Sequence, residues 1–98
     1  MTIRFLPEAR DELVEAAKFY ENREDGLGDR FLDEVESCLA RIASQPSLGG
    51  AVTTVLRRRI LRRFPFSVIC AHEQDTIVVV AVAHTSRKPG YWKGRTDD

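Results

Sequence analysis

Ile77-Val78-Val79-Val80-Ala81-Val82-Ala83 is apolar at every position. A strand with one face in water alternates apolar and polar residues; a run without alternation hides both faces or lies centrally beneath a helical layer. Extended to Thr76–His84, this run predicts a covered sheet. Two further β-type runs precede it, Val55–Arg63 and Pro65–Glu73. Phe64-Pro65 and Glu73-Gln74-Asp75 separate the three runs, and both spacings are short enough for hairpins. The cover comes from earlier in the chain. Phe31, Leu32, Val35, Cys38, Leu39 and Ile42 recur at helical spacing and predict an amphipathic helix that ends before Gln45-Pro46. Asp29 can cap or charge its start, and Pro46-Ser47-Leu48-Gly49-Gly50 reads as the loop beyond it.

Further toward the N-terminus, Asp25-Gly26-Leu27-Gly28 is a turn signal. Ahead of it, Pro7 opens a helix, where its missing N–H costs nothing. Glu8, Asp11 and Glu12 favour a helix start, and Leu13, Ala16, Ala17 and Tyr20 form one apolar stripe, so this helix runs from about Pro7 to Asn22. The short link makes the two helices an antiparallel hairpin. Thr2–Leu6 reads as a strand ended by Pro7. The order is β-α-α-β-β-β, an α+β fold with a helical hairpin packed on a mostly antiparallel four-stranded sheet. Its expected core includes Phe31, Val35, Cys38, Leu39, Ile42, Ile69, Val79 and Ala81.

Composition bounds the function. The 98 residues suit one domain, residues 1–98, with 85–98 as a polar C-terminal tail. No stretch approaches the roughly 20 apolar residues that span a bilayer, and Met1–Phe5 has no signal-peptide architecture, so no membrane contact and a cytoplasmic location are expected. Cys38 and Cys70 fall inside apolar patterns without metal-ligand spacing and read as buried small hydrophobes; no metal and no cofactor are expected. Net charge is zero but unevenly placed: residues 1–50 carry eleven acids and six bases, residues 51–98 nine bases and four acids. Such a dipolar surface can face an acidic partner with its basic part, although two mutually attracting solvated faces would have the same composition.

With these residues in this order, the chain resembles the RelE/ParE toxin superfamily, often described as plasmid-stabilisation proteins. The resemblance rests on an ordered series: Ala9-Arg10-Asp11-Glu12-Leu13 and Phe19-Tyr20; Gly26-Leu27-Gly28-Asp29-Arg30-Phe31-Leu32-Asp33-Glu34-Val35; arginines before Phe64-Pro65-Phe66; Ile77–His84; and Arg87-Lys88-Pro89-Gly90-Tyr91-Trp92-Lys93-Gly94-Arg95. It implies the toxin of a type II toxin–antitoxin system, neutralised by a cognate antitoxin and reaching operator DNA only through that antitoxin. ParE-like members poison DNA gyrase without a catalytic site of their own. RelE-like members are ribosome-dependent mRNA endoribonucleases, and a third possibility is a non-toxic, antitoxin-binding regulatory module.

Metal-free RNA cleavage needs a base, an acid and cations on the phosphate. If the chain is a nuclease, Arg59, Arg63, His84 and Tyr91 are the candidates; His72 is more simply an edge histidine. Zero net charge fits poorly with docking on ribosomal RNA, which relies on basic surface. No catalytic residue is therefore favoured, and gyrase inhibition is the expected activity. Strand alternation puts Arg57, Arg59 and Arg63 on one face and Arg58 and Arg62 on the other. A cationic edge strand guards against aggregation, and arginine also suits an acidic antitoxin tail. Antitoxin contacts are expected at Arg57, Arg59, Arg63, Leu13, Tyr20 and Leu39. Target contacts are expected at Arg87, Tyr91, Trp92 and Arg95, although the two aromatics have the alternative of folding back on the core.

Overall fold

A computed structural model describes residues 2–45, 50–52 and 56–96. Most of the expected loop at 46–50, Val55 at the head of the second expected strand, and the last two tail residues lie outside them. The elements are β1 (Thr2–Phe5), α1 (Pro7–Arg23), α2 (Leu27–Ser44), β2 (Gly50–Ala51), β3 (Leu56–Ile60), β4 (Phe66–Glu73) and β5 (Thr76–His84), followed by a 3-10 turn at Lys93–Arg95.

The expected β-α-α-β-β-β order is present. The sheet runs β1-β5-β4-β3-β2, with β1 parallel to β5 and the other neighbours antiparallel. The two-residue β2, paired with Arg57 and Arg58, extends the sheet to five strands. So short a strand has no periodicity for a sequence to display. β5 is an interior strand between β1 and β4, and its residues from Ile77 to Ala83 are buried on both faces, as the unbroken apolar run predicts.

Both helices pack on one face. Phe31, Val35, Cys38, Leu39 and Ile42 from α2 meet Val68, Cys70, Ile77, Val79 and Val82 from the sheet. The other face has a core of its own: Leu56, Ile69, Ala71, Val78, Val80, Ala81 and Ala83, covered by Trp92. All eight expected core residues are buried, but Ile69 and Ala81 belong to this second face. The register shift between Ile69 and Cys70 leaves Val80 without a cross-strand partner. This bulge puts Val80 and Ala81 on the same side and returns Val82 to the helices.

The link between the helices is tighter than a Gly-Leu-Gly turn implies. Leu27 and Gly28 already belong to α2, whose N-cap is Gly26 at φ +85°, a conformation only glycine adopts cheaply. Asp29 makes no capping bond. The first amides are satisfied instead by Glu21 of α1, which accepts from the Gly26 and Gly28 N–H groups at 3.0 Å each. At Gly28 the helices nearly touch: an added Cβ would lie 2.7 Å from the Ala17 carbonyl oxygen. Gly28→Ala should therefore cost about 1–3 kcal/mol by overpacking, against a helix-propensity gain of up to about 1 kcal/mol. A raised urea midpoint for this variant would show that the helices separate freely.

Candidate functional site

β3 ends at Ile60, earlier than the sequence pattern implies, because Leu61 N–H and Phe66 N–H bond to Phe66 and Phe64 carbonyls across a tight turn. Arg63 consequently does not share a strand face with Arg57 and Arg59; it joins Arg62 on the turn. There both line a groove of about 660 Å³ whose far wall is α2, with Arg30, Asp33, Glu34, Ser37 and Arg41. Tyr20, Leu27, Phe64 and Pro65 supply its apolar lining. Tyr20 and Phe64 belong to an aromatic cluster with Phe31 and Phe66, at ring separations of 4.8–6.1 Å. Four arginines face two acids in this groove, and Glu34 is already occupied by the Arg63 N–H at 3.0 Å.

Arg57 and Arg59 pair with Cys70 and Val68, so they stand on the helix side of the edge; Arg58 pairs with Ile69 and stands on the other side. Arg59 is half-buried, and its Nε and Nη2 atoms are fully buried without an acceptor among the described residues. Its charge lies near the Cys38 and Cys70 thiols. Both cysteines are free and buried. Burial pushes the Cys70 thiol up to about 12 and raises Cys38 as well, which makes both poor nucleophiles.

The C-terminal tail is fastened by one acid, Glu12, whose sequence position marks it only as a helix-start acid. Glu12 accepts from the Val82 N–H at 3.0 Å, from Tyr91 Oη at 2.7 Å, and from both Arg95 terminal nitrogens at 2.9 Å. Arg95 Nη1 also donates to the Val80 carbonyl at 3.0 Å. β1 stops pairing at Phe5, opposite Val79. The Glu12–Arg95 pair thus completes the β5 edge where the backbone partner runs out. Arg87 stacks over the Tyr91 ring at 3.8 Å from its centroid. Burial alone would raise the Glu12 carboxyl; the hydrogen bonds from Arg95, Tyr91 and Val82, with the Arg95 charge, outweigh it and hold the group below the usual carboxylate range.

That direction fixes a pH dependence. An unfolded glutamate titrates near ~4.3, so the clamp contributes fully above that value and is lost as pH falls through the lower folded value. The stability gap between the parent and Glu12→Gln should narrow on acidification toward about pH 3. A gap unchanged over that range would mean that Glu12 carries no depressed titration.

The expected site residues separate into several regions. Leu39 is 6% exposed and Trp92 4%, so both are core residues with almost no surface to offer a partner. Leu13 and Tyr20 are half-buried against the core; the exposed large apolar residues are instead Ile3, Val14, Phe19, Leu32 and Ile60. Arg59, Arg63, His84 and Tyr91 are not assembled: among the described residues no hydrogen bond, ion pair or ring contact joins any two of them. His84 Nδ1 accepts the Ser86 N–H at 3.0 Å, and its ring lies edge-on to Phe66. Burial first, and then the bond to Glu12, push the Tyr91 phenol up to about 12. No described group of His, Cys, Asp or Glu has a metal-binding arrangement, and no described helix is long and apolar enough to cross a membrane.

The chain matches the family described as "ParE toxin of type II toxin-antitoxin system, parDE" over residues 3–89. It belongs to the ParE toxin family. Among solved structures it is similar to a chain of the "Chromosomal ParDE TA system from P. aeruginosa", with a TM-score of 0.62 and 16% identity, covering 86% of this chain and 95% of that one. At that identity the likeness is one of fold, and it extends the ParE assignment to the arrangement of helices on sheet. No curated protein sequence matches significantly.

Proposed function

We propose that this ParE-family chain is a cytoplasmic toxin that arrests growth by inhibiting DNA gyrase, serves plasmid stabilisation, and is neutralised by a cognate antitoxin. The observation that carries gyrase over RNA cleavage is the state of the proton-transfer groups. The Tyr91 phenol, pushed up to about 12, is committed to Glu12, and His84 is turned to Ser86. Neither is poised to take a proton from a ribose hydroxyl. Zero net charge adds to this, because phosphate contacts dominate affinity for large RNAs.

Inhibition then works by occupancy, through the surface that the clamp rigidifies: exposed Arg87 stacked on half-buried Tyr91, with Arg95 behind it. Neutralisation uses the opposite region. An acidic antitoxin segment fits the arginine-rich groove and the half-buried Arg57 and Arg59 on the helix side of β3, where Arg59 Nε and Nη2 have no acceptor among the described residues. The deciding experiment sets purified chain with gyrase and supercoiled plasmid beside a translating-ribosome mRNA cleavage assay. Loss of supercoiling with intact mRNA is expected. Ribosome-dependent cuts with gyrase unaffected would replace this reading by the nuclease.

A further inference from the structure

The buried residues of the second sheet face are apolar with one exception among those described. Ser67 is the single polar residue buried among those described, at 5% exposure. It lines a cavity of about 40 Å³ together with Arg58 of β3, Ala83 and His84 at the end of β5, and Thr85, Arg87, Pro89 and Trp92 of the tail. Trp92 is 4% exposed, and its Nε1 is buried without an acceptor among the described residues. A buried N–H without a partner costs roughly 1–3 kcal/mol unless something fills the place opposite it. Two arginines, His84, Thr85 and two buried residues with polar groups thus line one small space, and no carboxylate lines it among the described residues.

We propose that this cavity binds a single phosphate group, held by Arg58, Arg87, the Ser67 hydroxyl and the Trp92 indole N–H. A water would satisfy the indole but gives no reason for two arginines lining the same cavity. A carboxylate is flat and offers two oxygens, whereas each guanidinium is itself a two-pronged donor. Two forks, a hydroxyl and an indole N–H reaching in from the sheet, the edge strand and the tail match the tetrahedral set of oxygens on phosphate. The volume exceeds that of one water position and is too small for a nucleotide, so the remainder of any larger ligand stays outside. The site is also prepared in advance. Arg87 is fixed at 3.8 Å over Tyr91, and Tyr91 is fixed by Glu12, so little ordering remains to be done on binding.

This inference is independent of whether gyrase is the target. Its source of phosphate is either the free ion or a nucleic acid strand, and Trp92, the only tryptophan in the chain, reports on both. The test follows the single indole ¹H–¹⁵N resonance and tryptophan emission of the full chain. Inorganic phosphate, oligothymidylate with and without a 5′-phosphate, and acetate are titrated at ionic strength matched with sodium chloride. A saturable downfield indole shift with phosphate is expected, at least about tenfold weaker in Arg58→Gln and in Arg87→Gln. Arg62→Gln, on the groove at the other face, should leave it unchanged. Response to the unphosphorylated strand assigns the site to a phosphodiester; response only to free or terminal phosphate assigns it to those. No saturable response, equal saturation by acetate, or equal weakening by Arg62→Gln overturns the proposal.

Discussion

Glu12→Ala is expected to lower the free energy of unfolding by about 3–5 kcal/mol, because it strands a mostly buried cation and two buried donors at once. Arg95 and Glu12 side chains are only 17% and 16% exposed, so the pair is shielded from the screening that makes surface ion pairs weak. Without the carboxylate, the Arg95 fork retains one bond to the Val80 carbonyl, Tyr91 loses its acceptor, and the Val82 N–H has no strand beside it. For a chain of this size a loss of that magnitude corresponds to roughly 12–40 °C in the melting midpoint. Glu12→Gln, which keeps the shape and one acceptor oxygen, should lose less. The double variant Glu12→Ala/Arg95→Met should recover part of the loss, since it removes the stranded charge as well. Urea unfolding of the three variants measures this; a single-variant loss below about 1 kcal/mol would reduce the clamp to an ordinary surface pair.

Arg59→Met is expected to act in opposite directions on two quantities. The free chain should be as stable as the parent or more stable by about 1–2 kcal/mol, because a half-buried guanidinium whose Nε and Nη2 find no acceptor among the described residues is replaced by a side chain that needs none. Binding of the cognate antitoxin should weaken by about 2–5 kcal/mol, a loss of roughly 30-fold to several thousandfold. Both follow from one observation: Nε and Nη2 are buried beside the Cys38 and Cys70 thiols with their hydrogens unclaimed. Arg58→Met, on the other face of β3, should leave antitoxin affinity unchanged. Calorimetric titration with the antitoxin decides it, and equal affinity of Arg59→Met and parent would leave this guanidinium as nothing more than an edge-strand guard.

The elements were legible because their signals are local. α2 has its apolar residues at helical spacing, and β5 has none of the alternation of a half-exposed strand, so their type and mutual packing follow from adjacent residues. The site was less legible for the same reason. Glu12 meets Val82, Tyr91 and Arg95 from 70 to 83 positions away, and nothing near Glu12 distinguishes it from Glu8 or Asp11 as helix-start acids. Trp92 sits among lysines, arginines and glycines that suggest exposure, yet the neighbouring sheet face needs a cover and Trp92 is the large apolar side chain at hand. Arg63 was misplaced because alternation was carried through Leu61 and Arg62, where the backbone had already turned. Gly26 and Gly28 announced a turn correctly; that one would serve as a cap and the other as a contact point depends on Glu21 and Ala17, on the preceding helix.

The parallel pairing of Thr2–Phe5 with Ile77–Val79 and their neighbours has a consequence for the order of events during synthesis. β1 leaves the ribosome long before its sheet partner β5, and α1 rests largely on that same late strand. Until β5 emerges, residues 2–44 have a helical hairpin to form but lack the strand on which α1 lies, since long-range pairing has to wait for both of its members. The tail that Glu12 fastens comes later still. A partly made chain therefore lacks its finished surface, and a truncated message yields a product without it. The completed fold is therefore reached only after β5 and the tail behind it have been translated.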